Sequence, residues 1–254
     1  MHYQFARERL NYSDLASGRV FCSRPGHPAF PVRLASEIFQ RCMAIRYAKN
    51  SSTRCVLYDP CCGAAYHLCV LAYLHRECIQ EVIGSDIEEG AIALAKRNLD
   101  MLNLSGLDKR IDEITEMLRL YEKESHKEAL GSAKVLRKKV AALEQTHPLK
   151  TSTFQANATD SKNLQENLKG VKVDIVFADI PYGLHSQWLS PGPKIPPSNS
   201  LGLMLDALLG VLLPTSIVAV VTDKQQRINH QNYLTLERFQ VGKRRVKIMQ
   251  PFPA

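Results

Sequence analysis

The chain has 254 residues, 45 % hydrophobic and 23 % charged, a profile that fits a soluble globular protein with one large core and excludes a disordered or fibrous one. No apolar run reaches the roughly 18 to 20 residues that cross a bilayer, and the N-terminus lacks the apolar core of a signal peptide, so a cytoplasmic protein with no membrane partner is expected. The formal net charge of +8 sits at the ends: residues 1–54 carry nine Lys/Arg against three acids and residues 224–254 seven against one, which suggests a polyanionic partner or, on charge alone, a solvated surface.

Hydrophobic period predicts a strand–helix alternation. Residues 31–43 read as an amphipathic helix, with Leu34, Ile38, Phe39 and Cys42 at helical spacing and Pro31 suited to the first turn. Cys55–Asp59 reads as a short buried strand, followed by the turn D-P-C-C-G-A-A and a helix through Leu68, Val70, Leu71 and Leu74. Glu81–Asp86 is a second strand, and 88–104 a helix with Ile92, Ala95, Leu99 and Leu102 on one face. Residues 108–147 break the rhythm. They hold seven acids and seven bases between Ile111 and His147 and read as a helical insertion, with Gly131-Ser132 as the turn of a hairpin. Strands are expected again over 152–157 and 171–179. Residues 185–200, with four prolines and the only tryptophan, read as a long active-site loop. A helix over 201–213, a strand over 216–222 and an antiparallel pair near 233–239 and 244–249 complete the chain.

Alternation of this kind implies an α/β fold with a mostly parallel sheet and helices on both faces, here as one domain over 1–254. Ligands then bind beyond the carboxyl ends of the strands. Four segments lie there: 59–66, Asp86, 157–160 and 179–183.

All seven cysteines lie in the first third of the chain, and Cys61 and Cys62 are adjacent. A metal site needs spacings such as C-x2-C, so none is expected, and an odd count in a reducing compartment argues against a disulfide framework. The turn is instead a ligand turn, where Gly63, Ala64 and Ala65 let a backbone approach a bound molecule. It is neither G-x-G-x-x-G nor a P-loop. Asp86 can accept the hydroxyls of a ribose or cap the following helix. Asp160 can accept from an adenine amino group or act as a cap. D-I-P-Y-G, residues 179–183, places a carboxylate, a proline carbonyl and an aromatic ring together, which suits a planar amide-like nitrogen.

D-P-C-C-G at 59–63, the acid at 86 and D-I-P-Y-G together resemble a class I S-adenosylmethionine-dependent N-methyltransferase with a Rossmann-like sheet. P-G-H-P-A-F-P-V-R-L-A-S-E-I-F-Q-R (25–41), V-T-D-K-Q-Q-R-I (221–228) and L-E-R-F-Q-V-G (236–242) narrow the likeness to the avilamycin-resistance 23S rRNA guanine methyltransferase (AviRa) family, over nearly the whole chain. The resemblance implies that Asp59, Pro60, Cys61 and Gly63 line the methionine part of S-adenosylmethionine, Asp86 with Ile87 the ribose, and Asp160 the adenine. It implies that Asp179, Pro181 and Tyr182 hold the target base, with guanine N1 favoured. Arg24, Arg33, Lys243, Arg244 and Arg245 are the expected phosphate contacts to 23S rRNA or the large ribosomal subunit. Two departures stand out: Ile180 replaces the first proline of D-P-P-Y, and Ala64-Ala65 replaces a second glycine. Transfer to adenine N6 or guanine N2 of another nucleic acid, a non-catalytic RNA-binding module and a dinucleotide oxidoreductase are the competing readings, and no obligate protein partner is called for.

Overall fold

The computed structural model describes residues 3–24, 28–49, 54–180, 197–224, 226 and 228–252, the side chains of 197–199 excepted. Seven strands form one sheet in the order β3-β2-β1-β4-β5-β7-β6, where β1 is Cys55–Asp59, β2 Ile79–Asp86, β3 Lys150–Gln155, β4 Val173–Asp179, β5 Leu212–Asp223, β6 Tyr233–Val241 and β7 Arg244–Pro251. The first five strands are mutually parallel and β7 runs antiparallel between β5 and β6. The expected terminal hairpin is therefore present, turning at Gly242, whose φ of +58° costs a glycine little.

Helices cover both faces because the central strands are apolar on both sides, so each needs two layers to bury it. On one face lie α1 (Val32–Ala48), α2 (Tyr66–His75), α3 (Glu89–Asp100), α4 (Leu104–Tyr121) and α5 (Glu124–Leu143), around Leu57, Phe177, Ala219 and Ile248. On the other lie α6 (Ser161–Leu168) and α7 (Pro197–Leu209), around Tyr58, Val176, Val218 and Met249. Among the described residues no helix is long and apolar enough to cross a membrane.

Strand ends shift by a few residues from the sequence expectation, β3 to Lys150–Gln155 and β5 to a start at Leu212, and the helix expected over 201–213 ends at Leu209; three helix boundaries differ for reasons the structure shows. The helical hairpin of the insertion turns at Glu122-Lys123, with Glu122 left-handed at φ +47°, and Gly131 and Ser132 lie inside α5. Their small size serves packing: Ser132 is buried and donates to Asp14 Oδ1 at 2.8 Å, which docks α5 on the N-terminal segment. The helix expected over 88–104 stops at Asp100, because Asn103 caps α4 by accepting from the Gly106 amide at 2.9 Å. Helix α7 starts at Pro197, inside the stretch expected to be loop, with proline suited to a first turn; residues 185–196 lie outside the described residues.

The basic N-terminal segment is fastened by one buried acid. Glu37 of α1 is fully buried, and its two oxygens accept from the amides of Gln4 (2.7 Å), Phe5 (2.9 Å) and Ala6 (2.8 Å) and from Arg41. Burial alone would push its carboxyl up, but the three amides and Arg41 outweigh burial and hold it below the ordinary value of 4.5. The stability it supplies is fully present above that unfolded value and is lost as pH falls through the lower folded one. Glu37→Gln should therefore lower the unfolding free energy by about 1–3 kcal/mol at pH 7, with the gap to wild type closing as pH falls below the ordinary value of 4.5. Urea denaturation at the two pH values checks this, and equal stability at pH 7 would refute it.

Candidate active site

The carboxyl ends of β1, β2 and β4 converge because the three strands are parallel neighbours in register, with Asp59 beside Gly84 and Tyr58 beside Val176. After β1 the chain turns through Gly63, at φ +54°, into Ala65, which adopts the same left-handed region at φ +54° before α2 begins. Ala65 stands where a second glycine was expected, and its backbone takes the conformation that favours glycine, at a cost of about 1–2 kcal/mol. Cys62 pins the turn to the sheet: its amide donates to Ser85 O at 2.9 Å, and its side chain is buried over Gly84. A Cβ at Gly84 would meet Cys62 Sγ at 2.9 Å, so the glycine in β2 makes room for the sulfur. The cysteines here are packing groups. Burial first, and then the charge of Asp59, push the Cys61 and Cys62 thiols well above their ordinary value.

Asp86 couples the two strand ends. Its Oδ2 accepts from the Gly63 amide at 2.9 Å and its Oδ1 from the Glu88 amide at 3.0 Å, at the start of α3. The capping role weighed from the sequence is thus present. Each carboxylate oxygen has a second lone pair, so both remain able to accept a ribose hydroxyl. Burial raises its pKa from 3.8. Asp160 is exposed and caps α6, accepting from the Asn163 amide at 3.0 Å. Ile87 follows Asp86 at the rim, half-buried, and its carbonyl accepts from Gln155 at 2.9 Å.

Asp59 and Asp179 share the face of the sheet that carries Leu57 and Phe177, since side chains alternate along a strand. Asp59 is fully buried; its Oδ1 accepts from the Cys61 amide at 2.9 Å, across Pro60. His67, in the first turn of α2, brings Nε2 to 3.2 Å from Asp59 Oδ2, but the N–H lines up with Phe177 O at 3.4 Å. Among the described residues, buried side-chain polar atoms without an aligned hydrogen bond are few: Asp59 Oδ2, Asp179 Oδ1, Arg244 Nε and Arg54 Nε. Three of the four belong to this one corner. Burial pushes the Asp179 carboxyl up to about 6, an effect that His67 and Arg244 oppose and Asp59 reinforces. Burial would lower the His67 pKa, but the carboxylates of Asp59 and Asp179 and the Phe177 carbonyl more than offset it and raise it.

An aromatic wall closes this corner. Phe30 meets Phe177 edge-on at 5.5 Å and tilts against His67 at 5.8 Å, and the Arg244 guanidinium lies 5.3 Å from the Phe30 ring centre. Neither Phe30 nor His67 is assigned a site role from the sequence, although His67 follows the cysteines of the turn. His67 had a signal, a histidine directly after a ligand turn; Phe30 had none, because only tertiary packing brings it here.

The five residues expected to touch phosphates are divided. Arg24 pairs with Glu88 at 2.5 Å. Arg33 donates to the carbonyls of Ala6 (2.8 Å) and Arg7 (2.7 Å) and stacks over Tyr3. Lys243 is exposed at the β6–β7 turn. Arg244 and Arg245 point to opposite faces, Arg244 toward Phe30 and Arg245 toward Gln226 O at 3.1 Å. Pro181 and Tyr182 lie outside the described residues.

The arrangement suits a cationic cofactor. Carboxylates 59, 86 and 179 surround a turn whose following helix has no side-chain cap, so first-turn amides are available to a carboxylate while the acids favour positive charge. S-adenosylmethionine carries both kinds of group. No cluster of three or more metal-ligating side chains occurs among the described residues.

Five parallel strands, an antiparallel strand inserted before the last, and acids at the ends of β1, β2 and β4 define a class I methyltransferase. More narrowly, the chain belongs to the family described as rRNA methyltransferase AviRa, which it matches over residues 1–244. It is 38 % identical over 242 residues to the 23S rRNA (guanine(2535)-N(1))-methyltransferase of Streptomyces viridochromogenes, covering 95 % of this chain and 93 % of that one. Two solved structures of rRNA methyltransferase AviRa from the same organism superpose with TM-scores of 0.85 and 0.86 at 35 % identity, over 98 % of this chain and 96 % of theirs.

Gly63→Ala tests the turn. An added Cβ meets nothing within 4 Å, so the cost to folding is backbone strain of about 1–2 kcal/mol, a fall in melting temperature of about 2–8 °C. Affinity for S-adenosylmethionine, measured by calorimetry, should drop about tenfold or more, the loss of roughly 1.4 kcal/mol. An unchanged affinity would remove the turn from the cofactor site.

Proposed function

We propose that this chain transfers a methyl group from S-adenosylmethionine to N1 of a guanine in 23S rRNA. The reading rests on family membership and, within the structure, on one observation: Asp179 ends β4 with a buried oxygen that has no partner among the described residues. S-adenosylmethionine, when bound, supplies an electrophilic methyl group on a sulfonium. The residues that would hold it are Asp59, Pro60, Cys61 and Gly63 at the turn and Asp86 with Ile87 at the end of β2. Asp160, committed to capping α6, has its second oxygen for an adenine amino group.

Attack by N1 of a neutral guanine releases a proton, so the site needs a base as well as alignment of nucleophile and methyl group. Asp179 is the proposed base. Its raised pKa makes it a better base than an exposed aspartate while leaving it ionised near neutrality. Asp59 and His67 are paired close enough to act on its charge, and His67 and Arg244 oppose the upward push of burial on the carboxyl. Pro181 and Tyr182 complete the proposal as acceptor and stacking partner for the base.

Asp179→Asn keeps the shape and removes the base. Methylation of 23S rRNA by labelled cofactor should fall by about 10²- to 10⁴-fold, while cofactor binding persists; undiminished turnover would overturn the role. The wild-type rate should also decline below about pH 6, roughly tenfold per pH unit, as Asp179 takes up a proton. A profile flat down to pH 5 would exclude Asp179 as the base.

A further inference from the structure

The last hairpin carries a second cationic feature, on the side of the sheet away from the acids. Arg238 of β6 and Lys247 of β7 are direct cross-strand partners, and Arg245 lies two residues from Lys247 on the same face. Like charges set opposite each other on a sheet destabilise it. Among the described residues no acid pairs with them. Arg238 has no hydrogen bond or ion pair among the described residues, Arg245 donates to the Gln226 carbonyl, and Lys247 donates to the Ile228 carbonyl and to Asn229 Oδ1 at 3.2 Å. The acid that lines the same cavity, Glu237, is already paired with Arg41 at 2.7 Å. Ile228 and Asn229 form one wall and residues of β6 and β7 the other of an open groove of about 760 Å³. That volume lies in the range that holds a nucleotide-sized ligand. Burial and the facing Arg238 keep the Lys247 ammonium below its ordinary value, as expected of cations gathered without a counter-charge.

The groove also adjoins the target corner. Arg244 and Arg245 are consecutive at the start of β7, beside Asp223 and Thr222 at the carboxyl end of β5, so one strand end presents Arg244 to the aromatic wall and Arg245 to the groove. We infer that the groove formed by Arg238, Arg245 and Lys247 seats backbone phosphates of the substrate RNA beside the target base. The inference rests on the proposed action on 23S rRNA for the identity of the strand, and on the uncompensated cations for its chemistry. Phosphates relieve the like-charge contact, and the cations position the strand without reading its sequence.

The test uses the full chain and transcribed 23S rRNA, with Arg238→Gln and the double variant Arg238→Gln/Lys247→Gln. Arg238 is exposed and holds no other group, so its replacement threatens no fold. Each lost charge should reduce the slope of log affinity against log salt by roughly 0.7–0.9 and raise KM for RNA several-fold, with S-adenosylmethionine affinity unchanged. Free of its facing charge, the single variant should melt at the wild-type temperature or about 1–3 °C above it. A structural role would lower it. Lys139→Gln on α5 removes the same net charge from an exposed site across the sheet. A salt slope and KM unchanged in the groove variants, or flattened equally by Lys139→Gln, would overturn the inference. If wild type binds 23S rRNA with the groove-dependent slope yet transfers no methyl group to it, the groove stands and the substrate reading falls.

Discussion

Carboxylates withdrawn from water are the constraint around which this protein is built. Asp59 and Asp179 end strands that are neighbours in a parallel sheet, so their charges are close; Asp59 is fully buried and Asp179 half-buried with one oxygen shielded from water. Water would relieve them, but it would also compete with a cofactor and a base. The structure answers with partial compensation. A backbone amide serves one oxygen of Asp59, His67 leans on the other, and Arg244 offsets Asp179 from across the sheet. Among the described residues Asp179 Oδ1 is left without a partner, and an unpaired buried acceptor is costly enough to need one.

The same economy shapes the turn. Asp86 spends one lone pair on the Gly63 amide and one on the start of α3, so a single side chain sets the spacing between the ends of β1 and β2. Cys62 packs into the space that Gly84 leaves, which fixes the depth of the turn against the sheet. Sulfur here acts through size and apolarity, and the run of cysteines that catches the eye in the sequence belongs to packing.

The basic ends show how little a charge count says by itself. Arg41 joins Glu37 to Glu237 and so ties α1 to β6. Arg46 is buried against Asp174, whose other oxygen accepts from the Val56 amide. Arg24 and Arg33 are held by Glu88 and by backbone carbonyls. Much of the N-terminal positive charge thus works inside the molecule. On the β6–β7 face Arg238, Arg245 and Lys247 have no acidic partner among the described residues, and Arg238 is one that no sequence cluster contains.

Much of the fold, and the gathering of acids at the strand ends, was legible in the residues alone. Strand ends announce themselves when an apolar run meets an acid, as at Asp59, Asp86 and Asp179, because burial and charge cannot share one strand position without a purpose. The strand–helix period likewise determined the order of elements and the closing hairpin. Helix ends were less legible: the turn at Glu122 uses a non-glycine residue in a left-handed conformation, while Gly131 is spent on close packing. Tertiary structure alone decided which of two adjacent arginines faces the acids and which the groove, that Phe30 covers His67, and that Arg238 lies opposite Lys247. The reason is physical: strand alternation is legible, but its phase is set by which residues the two cores bury, and contacts between distant segments exist only once the sheet has assembled.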